Sequence, residues 1–259
     1  MFGFGIAELS KRRPRSFNPT EIQPLAWYDP SDGSTLFQDV DGNVPVTSNF
    51  DLVGQIRDKS GNDFHMTQPI SSRRAVYREE NGVSWLETDG VDDSYRVSSR
   101  LGLSANPDLT VITALRPLSL YAPIQRVFHL GGDNEGGSLG CAYGGGGYSW
   151  RFNNGNTMFN PTSAELDIVA TWWRRAETRY AESKFRLNGD EIDTTSSSNG
   201  DYLPSNDDEQ ASLFGHGSLA SDAAHLRFYG MVVLGSVKPV KLKKCEEWLQ
   251  SKWPTGPLE

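Results

Sequence analysis

Cysteine is nearly absent: the 259 residues hold only Cys141 and Cys245. A disulfide framework therefore does not carry the stability, and two free thiols are the simplest reading. Long apolar runs are missing as well. None approaches the roughly 18 residues of a membrane-spanning helix, so membrane insertion is not expected. Positive charge is scarce: 25 Lys and Arg face 33 Asp and Glu, a formal net charge of -8. A phosphate-binding surface needs a local excess of Lys and Arg, which argues against a nucleic-acid partner. His65, His129, His216 and His225 fall in neither H-x-x-x-H nor H-E-x-x-H spacing, so no zinc site is signalled. The Gly-rich stretch 131–147 lacks the G-K-S/T ending of a phosphate loop, and its glycines suit turns and close backbone approach. G-x-S-x-G is absent as a nucleophile elbow, and Gly215-His-Gly-Ser218 is closer to a turn. Residues 1–9 differ from a usual secretory leader, because Lys11, Arg12, Arg13 and Arg15 follow the short apolar part instead of preceding it.

What is present points to strands and turns. The chain has 26 Gly, 7 Trp and 11% aromatic residues, which suits an all-β protein. Residues 1–24 stand apart, since Pro14, Pro19 and Pro24 block a continuous helix. They read as an extended arm or a tail, with a single domain over residues 25–259. Strands are expected at residues 25–28, 53–56, 109–115, 127–130, 148–152, 167–174, 184–187, 212–215, 226–229 and 231–237. The period then switches. Leu242, Cys245, Trp248 and Leu249 fall at i, i+3 and i+4 spacing, which predicts one amphipathic helix at about residues 242–252, closed by Pro254.

The chain is organised around S-W-L-E-T-D-G-V-D-D-S-Y-R-V at residues 84–97. Trp85–Thr88 and Tyr95–Val97 read as two strands of one hairpin, with Asp89-Gly90 in its turn. The tip then carries Asp89, Asp92 and Asp93. These hard oxygen ligands suit Ca²⁺, but Asp at a turn also bonds its own backbone without any metal. A ligand-binding set is open beside the Gly-rich loop: Tyr143, Tyr148 and Trp150 as platforms, Asn153 and Asn154 as polar partners. The competing reading has Tyr148, Trp150 and Phe152 filling the core, and three same-parity aromatics favour it. Catalysis finds less. Glu165-Leu-Asp167 begins an E-x-D-x-x-E pattern, but Ala170 stands where the second Glu belongs. A glycosidase needs two carboxyls, so Glu165 and Asp167 read as the solvated start of a strand and no catalytic residue is assigned.

Residues 84–97 resemble the F-D-G-V-D-D-Y signature of laminin-G-like domains, in the concanavalin A-like lectin/glucanase superfamily. D-K-S-G-N at residues 58–62, followed by His65, resembles a second signature of that family. The segment I-V-A-T-W-W with a later R-L-N-G, and F-Y-G-M-V-V-L followed by the helix ending in K-W, resemble its later strands and closing helix. W-Y-D-P-S-D with D-K-S-G-N is similar to the opening of domains encoded by tailed phages. The resemblance implies an antiparallel jelly-roll β-sandwich, concanavalin A-like, with a short C-terminal α-helix. It further implies a non-enzymatic virion structural protein of the head or tail, assembled in the host cytoplasm. Its implied partners are other virion proteins, met through the N-terminal arm, and host surface glycans, with a homo-oligomer in the assembly. Calcium is the one cofactor considered. The alternatives are a carbohydrate-binding lectin or receptor-binding module and, behind it, a glycan hydrolase.

Overall fold

A computed structural model describes residues 17–103, 108–119, 125–131, 139–144, 147–152, 155–159, 166–174, 184–192, 194–196, 210–215, 222–236 and 239–253. Between residues 139 and 159 the description is of the backbone. The described strands form two antiparallel sheets, as the alternating apolar runs require. One has eight strands: β1 (Ala26–Tyr28), β5 (Val76–Glu80), β6 (Val83–Glu87), β8 (Leu109–Pro117), β13 (Ile168–Arg174), β14 (Lys184–Leu187), β15 (Asp190–Ile192) and β18 (Leu226–Leu234). The other has ten: β2 (Leu36–Phe37), β3 (Gln55–Ile56), β4 (Met66–Thr67), β7 (Tyr95–Val97), β9 (Gln125–Leu130), β10 (Leu139–Gly144), β11 (Gly147–Phe152), β12 (Gly155–Phe159), β16 (Thr194–Ser196) and β17 (Ala211–Leu213). One helix, α1 (Pro239–Gln250), follows, with proline at its first position, where the missing N–H costs nothing.

The core is double. Between the sheets lie Leu109, Val111 and Leu115 of β8, Ile168, Ala170 and Trp172 of β13, and Phe128, Leu130, Leu213 and Tyr95 from the ten-stranded sheet. The residues that alternate with them turn outward into a second cluster. Ile112, Ala114, Val169, Trp85, Trp27 and Val232 pack there against Leu242, Cys245 and Leu249 of α1. Both faces of the eight-stranded sheet are therefore dry, which explains why β8 reads as a nearly continuous apolar run. Burying each leucine of α1 contributes about 1.5–3 kcal/mol. Burial also pushes the Cys245 thiol well above its ordinary pKa, so the helix cysteine is packing, not chemistry. Ile22 is buried in the same outer cluster and Phe17 packs against it. Packed chain thus extends to the N-terminal side of Leu25, while residues 1–16 lie outside the described residues.

The organising stretch is not a hairpin. β6 pairs with β5 and β18 in the eight-stranded sheet, whereas β7 pairs with β4 and β17 in the other. Residues 88–94 are the corner where the chain changes sheet. The true hairpin is β5–β6, turning at Asn81-Gly82 with φ 52° and 78°, the pair of positive values a type I′ turn demands.

The loop at residues 58–62 acts as a stitch. Asp58 accepts from the Trp27 and Ser60 amides through Oδ1 (2.8 and 2.9 Å) and from Ser60 Oγ and the Phe64 amide through Oδ2. Asn62 Nδ2 donates to the Leu25 carbonyl at 2.9 Å. D-K-S-G-N thereby ties the loop to β1. Gly54 sits where a Cβ would fall 2.5 Å from the Gln38 carbonyl oxygen and 2.8 Å from Asp39 C. Because those neighbours are backbone, Gly54→Ala is expected to cost about 2–3 kcal/mol, read as a lower denaturant midpoint with an unchanged slope.

Candidate functional site

The corner at residues 88–94 is built from its own side chains. Thr88 Oγ1 donates to the Ala224 carbonyl (2.5 Å) and accepts from the Leu226 amide (3.1 Å), which fixes the corner to the start of β18. Gly90 has φ 74°, and a Cβ there would lie 2.6 Å from His225 Cβ, so glycine is required twice over. Asp89 Oδ1 accepts from the Val91 amide at 2.8 Å and Asp93 Oδ2 from the Asp89 amide at 2.9 Å. Asp92 Oδ2 faces Arg73 Nε at 3.3 Å. The structure does bring the three carboxylates together: one oxygen from each lies within 4.8 Å of the others. Asp93 is 3% exposed. Burial first, then the charges of Asp89 and Asp92, push its pKa up to about 7. Three carboxylates this close are hard oxygen donors of the type Ca²⁺ takes, and Asp89, Asp92 and Asp93 are the residues that could hold one.

The outer face of the ten-stranded sheet carries a polar row. Phe37 pairs with Gln55, Gln55 with Thr67, Thr67 with Arg96, Arg96 with Ser212, Ser212 with His129, and His129 with Gly140. Their strand neighbours Leu36, Ile56, Met66, Tyr95, Leu213 and Phe128 are core, so by alternation this row points away from it. Ser212 and His129 are fully buried, and Arg96 is exposed. The face is therefore covered at its centre, half-covered at Thr67, whose hydroxyl donates to the Arg96 carbonyl at 3.4 Å, and open at Arg96. Gln55 is committed to the Val40 carbonyl (2.7 Å), and Arg57 lies over the Phe37 ring at 4.1 Å. Arg96 makes no such described contact. None of these residues stood out in the sequence, because the row is assembled from strands far apart in the chain.

Of the proposed ligand set, Asn153 and Asn154 lie outside the described residues. Tyr143, Tyr148 and Trp150 are described through their strands alone. Tyr143 pairs with Tyr148, and Trp150 with Cys141, whose other partner is Phe128. Trp150 thus holds a register position in the row of Phe128 and Leu213.

Asp167 corrects the expectation of a solvated strand start. Its side chain is 10% exposed, its Oδ1 accepts from the Tyr229 hydroxyl at 2.6 Å, and Arg116 Nη1 lies 3.8 Å from its Oδ2. It sits on the outer side of the eight-stranded sheet beside Tyr229, whose ring meets Trp253 at 5.3 Å. Its burial comes from residues distant in sequence, which an E-x-D pattern does not encode. Glu165 lies outside the described residues.

No family model matches the chain, and no curated protein matches it. Solved structures do. A sialidase of Trypanosoma rangeli in complex with sialic acid is 10% identical, with a TM-score of 0.55 over 87% of this chain and 32% of that one. A GH54 α-L-arabinofuranosidase soaked with a cyclic sulfate inhibitor is 15% identical, with a TM-score of 0.62 over 91% of this chain and 64% of that one. The chain spans about a third of the sialidase and just under two thirds of the arabinofuranosidase. At these identities the likeness shows the fold, an all-β sandwich. It also corrects the expectation of a non-enzymatic virion protein. Structures that share the fold include a sialidase and an arabinofuranosidase, which points to a glycan-related protein in place of a virion component.

Proposed function

We propose that the chain is a glycan-binding sandwich of laminin-G-like or lectin-like type, which holds a sugar chain on the outer face of the ten-stranded sheet. One observation carries the reading. Helix α1 and its apolar cluster cover the outer face of the eight-stranded sheet, whereas the opposite outer face carries an exposed Arg96 beside the half-buried Thr67. An exposed guanidinium beside a hydroxyl supplies the fixed donors and acceptors that sugar hydroxyls use. The fold likeness to a sialidase and an arabinofuranosidase supports a glycan ligand.

Binding without cleavage is the form we favour. Retaining glycosidases need two carboxyls about 5–5.5 Å apart in different protonation states. Asp167 is already held by Tyr229 and Arg116, and Ala170 occupies the position of the second Glu. A glycan array probed with the whole chain tests the reading. Bound glycans are expected, with binding weakened at least tenfold by Arg96→Ala and no reducing sugar released from them. Binding unchanged by Arg96→Ala would remove the sheet face from the account. Sugar release abolished by Asp167→Asn would replace binding with hydrolysis.

A further inference from the structure

A cavity of about 280 Å³ lies on the other side of the molecule, between α1 and the β14–β15 turn. Val169 lies beneath it and is only 2% exposed, and Arg186, Asn188, Asp190, Lys243, Glu246 and Glu247 supply most of its polar lining, with Gln250 at its helix side. Its volume is near the lower limit of about 300 Å³ for small-molecule pockets, so it suits a ligand of one ring. The sequence explains its shape. Asn188-Gly189 turns the β14–β15 hairpin with φ 51° and 91°, and Asn188 Oδ1 is fixed by the Val169 amide at 2.9 Å. That bond leaves the Asn188 amide nitrogen as a donor.

The chemistry is set by an ion pair held in place beforehand. Glu246 is 4% exposed. Its Oε1 accepts from Thr171 Oγ1 at 2.7 Å. Its Oε2 lies 3.2 Å from Arg186 Nη2, yet it is buried without a hydrogen bond. Arg186 also donates from Nε and Nη2 to the Gly189 carbonyl, and no described group takes its Nη1. A buried ion pair adds little net stability, because desolvation offsets its attraction. A buried oxygen left without a donor calls for an explanation. Arg186 and Lys243 share the lining with Asp190, Glu246 and Glu247, so neither sign dominates, which disfavours a ligand of high net charge and favours a neutral one that both donates and accepts.

We propose that this cavity is a second binding site, for a single neutral sugar ring or comparable polyol, independent of the ten-stranded face. Vicinal hydroxyls can donate to carboxylates and accept from guanidinium and amide groups in one orientation, while a ring face lies along the methylene stems of the long side chains that line the cavity. The test is an NMR titration of the isotope-labelled chain with D-glucose, D-galactose and L-arabinose, each to tens of millimolar. At least one sugar is expected to shift backbone signals of residues 186–190 and 243–250, with Kd on the order of 1 mM, as suits one shallowly held ring. Gln250→Trp, at an exposed helix position, should fill the mouth and abolish those shifts. Arg186→Met combined with Glu246→Met keeps the packing, removes the recognition groups and should also abolish them. Arg96→Ala should leave them intact, which separates this site from the sheet face. No shift with any of the three sugars, shifts only elsewhere, or shifts that persist in Gln250→Trp would each overturn the proposal.

Discussion

Asp93→Asn will melt higher than the parent protein at about pH 8 in chelator, and the advantage will vanish near pH 4. The sign follows from where the proton sits. Folding raises the Asp93 pKa to about 7, so between the ordinary carboxylate range and pH 7 the folded state binds the extra proton. Stability contributed by this group is full below about pH 4 and is lost as pH rises through 7. The loss is roughly 2 kcal/mol once solvent screening is allowed for, or about 5 °C. Asparagine keeps the acceptor for the Asp89 amide and removes the charge that Asp89 and Asp92 repel. The same variant decides the calcium question. If Ca²⁺ occupies the corner, it should raise the melting temperature of the parent at pH 8, because a ligand bound only by the folded state stabilises it. Asp93→Asn should lose that response. A parent protein indifferent to calcium would leave the three carboxylates as turn-builders alone.

The second large effect is expected at Asp29→Ala. Asp29 is 3% exposed. Its carboxylate accepts from Lys252 Nζ at 2.9 Å to each oxygen and from Ser31 Oγ at 2.6 Å, with Lys59 Nζ at 3.4 Å. Here W-Y-D-P-S-D, D-K-S-G-N and the helix end K-W meet. Trp27 and Trp248 are edge to face at 5.6 Å, with Lys59 over the first ring and Lys252 over the second. Burial lowers the Lys252 pKa even with Asp29 beside it, so removing the anion leaves a desolvated cation. The expected loss is about 3–5 kcal/mol, roughly 10 °C. Adding Lys252→Met should recover part of it, as a coupled pair must. Additive losses in that double variant would mean that the two charges do not interact.

Strands whose apolar and polar residues alternate between clear turn signals are legible in the sequence. Lys184–Leu187 and Ile168–Arg174 lie where alternation places them, and α1 starts three residues before its expected range. The misses have local causes. Residues 226–229 and 231–237 read as two strands because Gly230 looks like a break. It instead follows a bulge at Tyr229 inside one strand, and lies close enough to β1 that a Cβ would fall 3.1 Å from the Tyr28 carbonyl oxygen. The expected turn at Asp89-Gly90 misses the hairpin at Asn81-Gly82, because both pairs precede a strand and sequence spacing does not say which sheet that strand joins. The carboxylate corner was legible, since its members are neighbours in the chain. The polar row and the cavity at Glu246 were not, since each is assembled from distant strands and, for the cavity, from the helix as well.

On the function proposed above, glycan is held on the outer face of the ten-stranded sheet at Arg96. Hydrogen exchange of the chain, free and saturated with a glycan identified on the array, measures this most directly. Slower exchange at Met66–Thr67, Tyr95–Val97 and Ala211–Leu213 is the predicted result. Protection that spares those three strands and falls only on α1 and the eight-stranded sheet would contradict it.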